Sequence, residues 1–78
     1  MRIYKVNLWE ALAKSKYGGL YFLAANDINE AIDLLITEVN LDDMYVEAIQ
    51  KNIIDVGTTE LFKNPHIIMK YNPLGDIT

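Results

Sequence analysis

Few side chains in this 78-residue chain could start a reaction. Cysteine is absent, Ser15 is the sole serine and His66 the sole histidine. A Ser-His-Asp arrangement would have to join Ser15 to His66, and neither sits in a sequence resembling a nucleophile elbow. His66 follows Pro65 at the start of a strand pattern, the place of a structural or exposed histidine. A zinc site needs three or four ligands, usually His or Cys, and the chain offers one. Asn40, Asp42 and Asp43 suggest a calcium loop, but the glycine and the terminal Glu of that motif are missing in register. They read as a helix-ending loop. Paired carboxylates exist as Glu30 with Asp33 and Asp42 with Glu47. The first pair lies on the solvent side of a helix, where nothing prepares either group for acid–base work. Gly18-Gly19 lacks the Lys-Ser/Thr of a phosphate loop and precedes a strand, so it is a turn. These residues predict no enzyme, no metal and no cofactor.

One segment holds a denser chemistry. Trp9, Lys14, Lys16 and Tyr17 bring aromatic faces and positive charge together, and such groups can stack on a base and neutralise a phosphate. The same four residues also describe a strand end followed by a soluble loop.

The elements that would position these residues follow from hydrophobic periodicity. Ile3 to Trp9 alternates with period two, Tyr4, Val6 and Leu8 against Lys5 and Asn7, which predicts a half-buried strand. Glu10 to Gly19 reads as a long connection in which Ala11-Leu12-Ala13 could extend the strand or make a helical turn. Leu20 to Ala25 is apolar on both faces and predicts a central strand. Asp27-Ile28-Asn29-Glu30 then opens a helix with a capping box. Ile28, Ala31, Ile32, Leu35 and Val39 form its apolar stripe, with Ile36 at the edge and Leu34 off it. Tyr45 to Lys51 reads as a third strand. Ile53, Ile54 and Val56 either prolong it or begin a separate one. Thr58 to Asn64 suggests a helical turn, and His66 to Tyr71 a last strand.

The resulting order, β-β-α-β-β, predicts an α+β fold of two layers, a small antiparallel sheet with one main helix on one face. Residues 1–72 form a single domain and 73–78 an irregular C-terminal tail. One helix covers only one face of such a sheet. The other would carry some of Ile3, Trp9, Tyr21, Leu23, Tyr45 and Ile49, and burying each large side chain contributes about 1.5–3 kcal/mol. A homodimer or another protein partner is therefore expected.

Charge narrows the partner. Up to Lys16, four cations against Glu10 give +3; from Tyr17 onward, three lysines against ten carboxylates give −7. An acidic body argues against duplex nucleic acid, whose affinity rests on phosphate neutralisation. No apolar run approaches the roughly 18 residues of a membrane span. The start Met1-Arg2-Ile3-Tyr4 lacks the apolar core of a signal peptide, so a cytoplasmic location is expected.

Ile3-Tyr4-Lys5-Val6, then Ala24-Ala25-Asn26-Asp27 and Glu30-Ala31-Ile32, resemble small bacterial and phage proteins of the DpnD/PcfM type. Those look like "YKV" followed by "V-x-A-x-(S/D)-x-x-E-A-I". The likeness covers about the first half of the chain, and the chain departs from it over Glu10–Gly19 and after Leu41. It implies a phage or mobile-element setting and an accessory role, and transfers no functional residue. The expectation is a non-enzymatic interaction protein that inhibits a host defence protein, through its acidic helix face (Glu30, Asp33) or its sheet (Tyr21). The alternative is a dimeric protein that sequesters a nucleotide-like ligand with Trp9, Lys14, Lys16 and Tyr17.

Overall fold

The computed structural model describes residues 1–71; the irregular tail expected over 73–78 lies outside them. Four strands, β1 (Arg2–Asn7), β2 (Leu20–Ala25), β3 (Ile54–Thr58) and β4 (His66–Tyr71), form one sheet in the order β3-β1-β2-β4. Every neighbouring pair is antiparallel. Three helices join them: α1 (Leu8–Ala11), α2 (Ile28–Val39) and α3 (Val46–Asn52), the last entered through a 3-10 turn at Asp43–Tyr45. The α+β class with an antiparallel four-stranded sheet is as expected, and β2 is one of its two central strands.

Three local expectations are corrected. The first strand stops at Asn7, because Asn7 caps a helical turn: its Oδ1 accepts from the Glu10 N–H at 3.2 Å. Leu8 and Leu12, four apart, then both enter the core, and Trp9 is turned off the strand. The connection after β1 thus begins with the helical alternative. Residues 46–52 are a helix and not the third strand. Val46, Ile49 and Ile53 meet the core at helical spacing, and Glu47 and Lys51 pair across one turn at 3.4 Å. The third strand is the later segment, Ile54–Thr58. Finally, Thr58 ends β3, and residues 59–64 form bends and no helical turn.

The main helix begins as its cap residues dictate. Asp27 Oδ1 accepts from the Glu30 N–H at 2.8 Å. The Glu30 carboxylate reaches back to the Asn26 N–H at 2.7 Å, one residue before the position of a standard capping box. Asn40 ends the helix in the left-handed region, with φ 59°. The Leu41 N–H then bonds to the Ile36 carbonyl at 3.0 Å, and the turn carries Leu41 into the core. Ala31, Ile32 and Leu35 are buried, while Ile28, expected in the stripe, is 41% exposed because it sits in the first turn. Leu34 and Ile36 also pack on the core, so the buried arc is broad.

All three helices lie on one face of the sheet. Val6, Tyr21 and Leu23 from the strands join Leu8, Leu12, Ile32, Leu35, Leu41 and Ile49 in one buried cluster. Tyr4, Ala25 and Ala31 make a smaller one, with Ile53 against it.

Candidate functional site

Antiparallel register decides which side chains share the other face. Ile3 pairs with Ala24, Lys5 with Phe22 and Asn7 with Leu20 across β1 and β2. On the flanks, Lys5 pairs with Ile54 of β3, and Phe22 and Leu20 pair with Met69 and Tyr71 of β4. Side chains alternate along a strand, so these residues point away from the helices. Ala24 is buried on this side beside His66, whereas Ile3, Leu20, Phe22 and Met69 belong to neither buried cluster. At the margins Ile54 is 51%, Met69 50% and Tyr71 54% exposed. The result is an apolar, uncovered sheet face, ended by Trp9, whose ring meets Tyr71 edge-on at 6.5 Å.

Two bulges shape this face. One interrupts β1–β3 pairing between Ile3 and Tyr4, where Val56 is the extra residue beside Gly57 at φ 142°. The other interrupts β2–β4 pairing between Phe22 and Leu23, where Ile68 is extra. Each lets a flanking strand change side, so Ile67 packs on the helix-side core while Met69 and Tyr71 face out.

The residues singled out from sequence are scattered over this frame. Of the six expected on the uncovered face, Ile3 lies there and Trp9 at its end. Tyr21, Leu23 and Ile49 are buried on the helix side instead, and Tyr45 packs against that same core. The reason is register: Tyr21 pairs with Val6, a helix-side residue. Tyr21 is 2% exposed, so its ring is a core group, with Lys70 Nζ 6.0 Å from its centroid. Tyr17 meets Tyr45 edge-on at 5.6 Å, and Lys16 Nζ lies 5.5 Å from the Tyr17 ring. Trp9 and Tyr17 therefore take different aromatic partners. Lys14 borders an open hollow of about 380 Å³ with Glu10, Leu12, Ser15, Tyr45 and Ala48, which includes neither Trp9 nor Tyr17. Glu30 is spent on the helix cap, and Asp33 is exposed on α2.

The reactive inventory is engaged in structure. Ser15 Oγ donates to the Leu12 carbonyl at 2.8 Å and accepts from the Tyr17 N–H at 3.1 Å, holding the loop before β2. His66 pairs with Ala24 at the far end of β2; its Nδ1 lies 2.9 Å from the Asn64 carbonyl and its ring meets Phe62 edge-on. Burial pushes the Tyr4 phenol above its usual range, and the Asp55 carboxylate adds to this. Arg2 Nη1 binds Asp55 at 2.6 Å along the same edge. Among the described residues no group of three or more His, Asp or Glu is placed to hold a metal, and no helix is long and apolar enough to cross a membrane.

Sequence reasoning set Lys5 opposite the buried Tyr4, Val6 and Leu8 but named none of Lys5, Phe22, Ile54 and Met69 for the uncovered face. The alternation within Leu20–Ala25 contained the split, Leu20, Phe22 and Ala24 against Tyr21, Leu23 and Ala25. Which half faces out follows only from the pairing. Comparison with protein-family models, curated proteins and solved structures finds no match to this chain.

Proposed function

We propose that this chain is a non-enzymatic binding protein that engages another protein through the uncovered face of its sheet. One observation carries the reading: Ile54, Met69 and Tyr71, each about half exposed, border Ile3, Leu20 and Phe22 on a face that none of the described helices covers. An apolar surface of this kind rimmed by polar groups marks an interaction site. The likeness of the first strand and the capped helix to DpnD/PcfM-type proteins supports a phage or mobile-element setting. In that setting, binding would act by blocking a host defence protein.

Site-specific photo-crosslinking in cells that express the chain tests this. A photoreactive residue at Met69 should give one defined protein adduct, and its mass separates a second copy from a different protein. The same group at Thr37, on the exposed side of α2, should give none. Equal adducts from both positions, or none from Met69, would sink the reading.

A further inference from the structure

The uncovered face carries a charge pattern opposite to that of the whole molecule. The chain has 11 Asp and Glu residues and a net charge of −4, yet among the described residues no strand residue on this face is acidic. Lys5 stands at the centre, on an inner strand, with Phe22 on one side and Ile54 on the other. Its neighbours along the strand on that face are Ile3 and Asn7. Lys5 is half-buried, and neither ion pair of the described residues includes it. Register sets the stem beside Phe22 and Ile54, and the ammonium has no counter-charge among the described residues.

A second copy fits poorly on such a face. Symmetric pairing about an axis through the Lys5 position would set Lys5 against Lys5, with no strand carboxylate on either face to relieve it. The face is also narrow: four strands at about 4.8 Å spacing and six residues at about 3.3 Å span roughly 20 Å each way. An amphipathic helix, about 10 Å wide, can seat its apolar stripe on the strip and set a flanking carboxylate over the ammonium.

Resting on the binding role just proposed, we infer that the partner element is an acidic amphipathic helix, with Lys5 selecting the carboxylate and Ile3, Phe22, Ile54 and Met69 receiving the apolar stripe. The charge pair lies in a partly desolvated setting, so it discriminates partners by sign more than it adds affinity.

Two synthetic 16-residue helical peptides with the same leucine stripe, one flanked by Glu and one by Lys, give the test by fluorescence anisotropy. The Glu peptide should bind at least tenfold more tightly than the Lys peptide at low salt, and the gap should narrow as salt rises. Lys5→Glu should reverse the order, and Lys5→Met should abolish the preference, with circular dichroism confirming that both variants fold. Equal binding of the two peptides that is lost in Ile54→Glu/Met69→Glu would overturn the charge selection and leave the sheet-face reading intact. Binding that survives this double variant would overturn both. Binding of neither peptide, or sedimentation of the free chain as a dimer dispersed by Lys5→Glu, would overturn the inference.

Discussion

Tyr21 and Phe22 are neighbours of similar size, and they meet opposite surroundings. Tyr21 is packed under the helices with Val6 and Leu23, whereas Phe22 lies between Lys5 and Met69 on the uncovered side of the same sheet. The two faces differ little in hydrophobicity. They differ in what returns to cover them: α1, α2 and α3 all pack on one side. Stability is thereby concentrated in the helix-side cluster, and the opposite face is left without a helix against it among the described residues. A substitution's cost should follow its face and not its residue type.

Truncation in the cluster gives the largest test of that contrast. Leu35→Ala, at a fully buried site, should cost about 2–5 kcal/mol. Met69→Ala on the uncovered face should cost about 0.5 kcal/mol or less. Urea denaturation of the two variants measures both, and equal losses would erase the distinction.

The packing of Trp9 against Gly18 comes next. A Cβ at Gly18 would lie 2.4 Å from Trp9 Nε1 and 2.5 Å from its Cδ1, so Gly18→Ala must push the indole aside. The expected cost is about 1–3 kcal/mol. Trp9 is the sole tryptophan, so a red shift of its emission should accompany the loss. An unchanged spectrum would mean that the indole is not held between Gly18 and Tyr71.

A smaller effect belongs to the helix that covers the sheet. Asp27→Ala removes the acceptor for the Glu30 N–H and should cost about 1 kcal/mol, while Asp27→Asn should recover most of it. Thermal unfolding followed by circular dichroism would show both.

The last effect is confined to alkaline solution. Tyr4 is buried at the margin of the helix-side core, and its phenol is held protonated above the usual tyrosine range. The unfolded chain gives up this proton first as pH rises, so the stabilisation is full below about pH 10 and declines above it. Tyr4→Phe should remove that part of the decline, as read from denaturation midpoints between pH 8 and 11. The same alkaline loss in both proteins would exclude Tyr4 as its source.

Much of the frame was legible in the residues alone. Asp27 and Glu30 announce the helix start, the unbroken run Leu20–Ala25 announces a central strand, and the count of one helix-sized stripe against four strands announces an uncovered face. Two segments were misread for one physical reason. Tyr4, Val6 and Leu8 alternate as a strand does, yet Leu8 and Leu12 also satisfy helical spacing. Likewise Val46 and Ala48 fit period two, while Val46, Ile49 and Ile53 fit the helix. Short apolar segments satisfy both periods, and packing partners select between them. Cap chemistry at Asn7 was the available clue for the first.

The candidate surface was legible in kind and not in membership. Local sequence is sufficient for helix caps, for strand-forming runs and for a surplus of apolar side chains, because these depend on residues a few positions apart. Assigning Lys5, Phe22, Ile54 and Met69 to one face required residues 17 to 49 positions apart to be aligned in register, with a bulge at Val56 and another at Ile68. A shift of one residue in that alignment exchanges the buried and exposed sets. Nothing within six residues of Phe22 encodes that choice; it comes from the helices closing on Tyr21 and Leu23.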